Sequence, residues 1–151
     1  MPMPPAYRHA GRDWQALLDD LRDELGLASD HMAYTTLDAV LRVFRRRLAP
    51  AEVLRFAAAL PAVPRAILVT GWDVAAAPAP FGTRAALTRE AQAVRPHHNF
   101  TPDDAIAAVA RALRRHVRPD DFDRALAALP PGARDFWAPL GDEAAAGPRA
   151  S

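Results

Sequence analysis

The sequence predicts an all-α fold, a helical bundle built from two tandem pseudo-repeats of about four helices each. Apolar residues recur at three- and four-residue spacing in several segments, as the buried face of an amphipathic helix requires. No stretch alternates apolar and polar over strand length with β-branched enrichment, so no sheet is expected. A segment also recurs without a gap at one constant offset, the one that carries Arg45 onto Arg114. Arg45-Arg46-Arg47-Leu48-Ala49-Pro50-Ala51-Glu52-Val53 aligns with Arg114-Arg115-His116-Val117-Arg118-Pro119-Asp120-Asp121-Phe122. Arg55, Ala58-Ala59-Leu60-Pro61 and Arg65 match Arg124, Ala127-Ala128-Leu129-Pro130 and Arg134. Upstream, Ala39-Val40 and Arg42 match Ala108-Val109 and Arg111.

Along the chain, residues 1–11 read as a flexible N-terminus and 12–140 as a single helical domain, with repeat one at 12–73, a linker at 74–82 and repeat two at 83–140. Trp14, Leu17, Leu18, Leu21 and Leu25 make the stripe of a first helix, which Gly26 ends. Leu37, Val40, Leu41, Phe44 and Leu48 line the second, with Thr35 as its expected cap. Pro50 suits the first position of a third helix, where its missing N–H costs nothing, and Leu60-Pro61 breaks that helix before a short fourth carrying Ile67 and Leu68.

The prolines between Asp73 and Gly82 predict a semi-rigid linker. The second copy starts weakly, because the stretch from Arg84 to Val94 offers only Leu87 and Val94 as large apolar residues. Thr101-Pro102-Asp103-Asp104 reads as a helix start, with Thr as cap, Pro in the first turn and carboxylates against the positive dipole end. Ile106, Val109, Ala110, Leu113 and Val117 repeat the stripe, Pro119 opens the next helix, and Phe136 and Trp137 sit on the last. Residues 141–151 read as a disordered tail.

These segments resemble a bacterial family of helical proteins known as domain of unknown function 2267. The resemblance rests on Val40 to Phe44, Arg46-Arg47-Leu48-Ala49-Pro50, Ala59-Leu60-Pro61 and Gly71-Trp72, and in the second copy on Val109 to Leu113, Val117-Arg118-Pro119 and Ala128-Leu129-Pro130. It spans about residues 12 to 140. The Gln that precedes Leu-Pro in that pattern is Ala59 here and Ala128 in the second copy, and the Gly-bearing turn is replaced by Ala51-Glu52 and Asp120-Asp121. The resemblance implies a duplicated helical bundle and no established activity.

Composition narrows function mostly by exclusion. A chain of 151 residues with half its residues apolar can bury a core without staples. The absence of Cys removes disulfides, thiolate metal sites and a thiol nucleophile, and fits a reducing compartment. No run reaches the roughly 20 apolar residues of a membrane span, and the start lacks a secretory pattern, so a cytoplasmic protein is expected. All nineteen basic residues are Arg, which with the heavy Ala and Pro usage reads as codon bias of a GC-rich bacterial genome more than as selection for a site, and a net charge of +1 favours neither a strong nucleic-acid footprint nor a membrane patch.

Candidate sites are few. His97-His98 is the most ligand-like pair, with Asp103 or Asp104 as a third donor across the Pro102 turn, yet adjacent side chains diverge and a solvated loop fits better. His116 replaces an Arg of the first copy and should be exposed. Asp19-Asp20, Asp23-Glu24 and Asp120-Asp121 fall on polar faces or first turns, where carboxylates support the helix. There is no Gly-x-Gly phosphate loop, and Ser29 and Ser151 are the only serines. No catalytic, cofactor-binding or metal-ligating set is expected.

The residues left as a speculative binding surface are Arg42, Arg45, Arg46, Arg111, Arg114 and Arg115, which could present two basic ridges to phosphate groups or an acidic protein. Against that, Asp38, Glu52, Asp121 and Asp123 lie close enough to neutralise them. The expected function is a non-enzymatic protein-interaction module, with an unknown protein partner or self-association. The alternatives are nucleic-acid or phosphate-ligand binding through the Arg ridges, and a small-molecule sensor with an interhelical pocket.

Overall fold

The computed structural model describes residues 1–95 and 101–139, all of whose regular structure is helical. Nine helices follow one another among the described residues: α1 Pro5–Arg8, α2 Ala10–Leu25, α3 Asp30–Arg45, α4 Pro50–Ala58, α5 Ala62–Val69, α6 Arg84–Ala93, α7 Ala105–Arg114, α8 Pro119–Ala127 and α9 Ala133–Phe136. Four helices from α2 to α5 therefore precede the linker and four from α6 to α9 follow it. The expected tail and His97-His98 lie outside the described residues.

Local chemistry accounts for most boundaries. α2 buries Leu17, Leu18, Leu21 and Leu25 on one face and stops at Gly26, whose φ of 64° is the left-handed turn glycine tolerates best. Pro50 and Pro119 occupy the first turns of α4 and α8, two helices of equal length whose ends keep the offset that relates Arg45 to Arg114. Glu52 reaches back to the Ala49 amide at 2.7 Å, so it is spent as a cap.

Three expected starts move. α3 begins at Asp30 and is capped by Ser29, whose hydroxyl accepts from the Met32 amide at 3.2 Å. Thr35 is buried within that helix and donates to the His31 carbonyl at 2.9 Å. α7 begins at Ala105 instead of after Thr101, because Pro102 to Ala105 forms a turn closed by the Ala105 amide on the Pro102 carbonyl at 3.1 Å. Within the segment expected to be flexible, residues 5–8 form α1 and α2 starts at Ala10.

The opening helices of the two halves each cover a helix of the other half. α2 packs chiefly on α7, while α6 packs chiefly on α3, so each half's opening helix covers the other half's second helix. α3 also touches α2, α5 and α7, and α4 lies against α8. At the centre Phe44 meets Phe56 edge to face with ring centroids 4.7 Å apart, and Phe136 at 4.9 Å. Phe56 stacks on Trp137 at 5.4 Å, and Phe122 completes the cluster. These rings come from α3, α4, α8 and the end of α9, so the core is shared by both halves.

The linker is tied down. Ala79 donates its amide to the Arg46 carbonyl at 2.8 Å, and Arg47 Nε donates to the Pro80 carbonyl at 3.2 Å. Phe81 then reaches toward Phe44, at 6.1 Å, and occupies the space beside Gly132. With φ at 102° and Phe81 carbons 2.8 Å from where a Cβ would lie, Gly132 admits no side chain.

Candidate functional site

The six arginines expected to form two ridges do not share one surface. Arg45 is only 8% exposed, and its Nη1 donates to the Leu68 and Thr70 carbonyls at 2.8 and 3.0 Å, tying α3 to the end of α5. Burial, and then the neighbouring Arg42 charge, pull its pKa below the ordinary arginine value. Arg114, which the sequence offset aligns with Arg45, bonds from Nε to the Trp137 carbonyl at 2.9 Å, and also pairs with Asp123 at 3.1 Å. Its guanidinium lies 5.0 Å from the Phe122 ring centre.

Arg42 grips both oxygens of buried Asp38 through Nε, at 3.0 and 3.1 Å. Arg111 and Arg115 both donate to Glu24 of α2. Arg111 is the first cause, ahead of Arg115, of a Glu24 pKa held below the ordinary carboxylate value against the opposing effect of burial. Of the six, Arg46 and Arg115 are the most exposed. Arg46 has only a loose contact with Glu90 at 3.4 Å, since that carboxylate is taken by buried Arg47.

Two further expectations change for one reason, the crossing of α2 over α7. His116 is not exposed: it is half-buried, with Nε2 2.6 Å from Asp20 Oδ2. Asp20 and Glu24 are likewise not merely solvated, because they face the α7 cations across that seam. Arg47 with Glu90 is the corresponding pair where α6 crosses α3.

Open volume lies elsewhere. A shallow groove of about 440 Å³ runs between α4 and α8, floored by Ala58, Ala59, Ala125 and Ala128 and flanked by Arg55, Arg124 and Asp121. Arg55 and Arg124, which the sequence offset aligns, are both exposed. Their neighbours Val53, Phe56, Phe122 and Leu126 point inward, which leaves the outer seam to small side chains. A second cavity of about 270 Å³ is lined by Arg45, Arg46, Leu48, Trp72 and Asp73 with the alanines of the linker. Sequence reasoning allowed an interhelical pocket but assigned it no lining residues, although Gly71-Trp72, on the wall of the second cavity, was among the residues that carry the family resemblance. Among the described residues no three His, Asp or Glu side chains are grouped to hold a metal ion.

An all-α chain with these Leu-Pro breaks and this helix order is matched by the family model described as an uncharacterized conserved protein, DUF2267, over residues 14–136. The protein belongs to that family. No curated protein matches it.

Proposed function

We propose that the protein is a non-enzymatic binding module, built by duplication of a four-helix unit, that receives an amphipathic helix of a partner protein in the groove between α4 and α8. The groove carries the reading. Its alanine floor lets a helix approach closely, and at its edges Arg55, with exposed Arg124 in a 3.1 Å pair with Asp121, suits a guest with acidic residues flanking a small apolar stripe. Exposed Leu54 on α4 adds apolar surface on the same helix.

Support for the non-enzymatic reading comes from how the titratable groups are used. Asp20 is committed to His116, Glu24 to Arg111 and Arg115, Asp38 to Arg42, Glu90 to Arg47 and Glu52 to a helix cap. A general acid or base needs a carboxylate or imidazole free to face a substrate. Support for duplication comes from the Arg45 bond to Leu68 and the Arg114 bond to Trp137, which recur at the same offset as the proline-started helices. Nucleic-acid binding through the ridges draws less support, because Arg42, Arg45, Arg111 and Arg114 are bound within the protein. No helix among the described residues is long and apolar enough to cross a membrane, and with the absence of Cys this supports a cytoplasmic setting.

Affinity capture with the wild type and with an Arg55→Glu, Arg124→Glu double variant, compared by quantitative mass spectrometry, tests the reading. A partner retained by the wild type and lost from the folded variant is expected; identical retention by both would contradict it.

A further inference from the structure

The cavity at the C-terminal end of α3 holds a cation whose bonding is incomplete. Arg45 spends Nη1 on two carbonyls, but Nε and Nη2 donate to nothing among the described residues. Arg45 lines the cavity, although the residue as a whole is more than nine-tenths buried. A guanidinium in so dry a place gains most from an anion that takes two parallel N–H donors.

The surrounding charges leave that place open. Asp38 is engaged by Arg42, with Arg95 3.7 Å away, and Glu90 is engaged by Arg47. Asp73, the carboxylate on the cavity wall, turns Oδ1 to the Ala75 amide at 3.1 Å. Arg46, 61% exposed, stands at the mouth with its loose 3.4 Å contact to Glu90 and can swing toward a guest. The opposite wall is apolar: the half-buried Trp72 ring, Leu48, Ala76, Ala77 and Ala79. Gly71, at φ 66°, makes the turn that brings Trp72 to this wall.

We propose that this cavity binds a small organic oxyanion, its carboxylate or phosphate held by Arg45 and Arg46 and its flat apolar body laid against Trp72. At about 270 Å³ the space lies just under the range of drug-sized sites, which suits one ring with its acid group. Burial and the Arg42 charge already disfavour the protonated Arg45, and the negative charge of a bound anion would offset both. The site is separate from the α4/α8 groove and stands whether or not that groove receives a partner.

Benzoate and phenyl phosphate, with benzyl alcohol as the uncharged control, are to be titrated into the intact chain and followed by the arginine Nε–H and tryptophan indole N–H resonances. Saturable shifts confined to Arg45, Arg46 and Trp72 are expected with at least one acid and not with benzyl alcohol; the acid that binds tighter identifies the head group. Because Arg45 also holds α5 in place, the variants avoid it. Arg46→Gln should weaken binding roughly tenfold, the usual worth of one charge-assisted hydrogen bond. Ala77→Leu should abolish binding by filling the cavity, with the circular dichroism spectrum of both variants unchanged. No shift up to ~10 mM ligand, where even a weak site would register, overturns the proposal. So do equal shifts at exposed Arg12 and Arg118, equal binding of benzyl alcohol, or undiminished binding by a folded Ala77→Leu.

Discussion

Trp137 is fully buried among Phe44, Phe56, Phe122 and Phe136, yet its indole N–H has no hydrogen-bond partner among the described residues. An unsatisfied buried donor costs about 1–3 kcal/mol, which the ring contacts offset. Trp137→Phe, which removes that donor and keeps an aromatic ring, should therefore cost no more than about 1 kcal/mol, whereas Trp137→Ala should cost about 3–5 kcal/mol by opening a cavity. Urea unfolding of the two variants measures the difference.

Glu24 is the most informative titrating group. Its pKa is lowered in the folded chain, so the stability it supplies is fully present above the unfolded carboxylate range and is lost as pH falls through the folded value. Stability measured from pH 6 down to pH 3 should fall less steeply in Glu24→Gln than in wild type. At neutral pH that variant should be less stable by roughly 2 kcal/mol, because Arg111 and Arg115 both lose the carboxylate they share.

At the scale of the element, the sequence was most readable where covalent geometry speaks. Pro50 and Pro119 mark the starts of α4 and α8 because proline fits the first turn and no later one. Gly26 marks the end of α2 because few other residues accept its backbone angles. The start of α3 was less readable, since Ser29 caps the helix without the Glu or Gln three residues on that would advertise a capping box. Replacing Ser29 with Ala should cost about 1 kcal/mol, while Thr35→Ala, which removes a hydroxyl bonded back into its own helix, should cost less. Thermal unfolding of the pair checks which residue is the cap.

The burial of Arg45 did carry a signal. Arg45 is four residues after Leu41, so helical phase puts it on the apolar stripe, while Arg47, just past the end of α3, is covered by the linker and α6 through Pro80 and Glu90. What the phase could not give was the acceptors, because the Leu68 and Thr70 carbonyls and Glu90 lie 23, 25 and 43 residues away. The same distance hid the seam between α2 and α7, where His116 meets Asp20 across 96 residues of chain.

For the molecule as a whole, the crossing helices decide what can be stable alone. With α2 seated on α7 and α6 on α3, neither half retains its covering helix when separated. Fragments cut in the linker at Pro78 should each show little helix by circular dichroism and regain it on mixing; a fragment that folds cooperatively by itself would refute this interlocked arrangement. The outer face is less constrained: alanines floor the seam between α4 and α8, with Arg55 and the Arg124–Asp121 pair beside it. The most direct test of a receptor groove there is a photoreactive benzoylphenylalanine placed at Ala58 or Ala128, compared with exposed Ala66 on α5, in the cell that makes the protein. One partner should be crosslinked from both groove positions and not from Ala66, and lost when Arg55 and Arg124 are reversed in charge. Equal crosslinking from all three positions, or none from the groove, would contradict the receptor role.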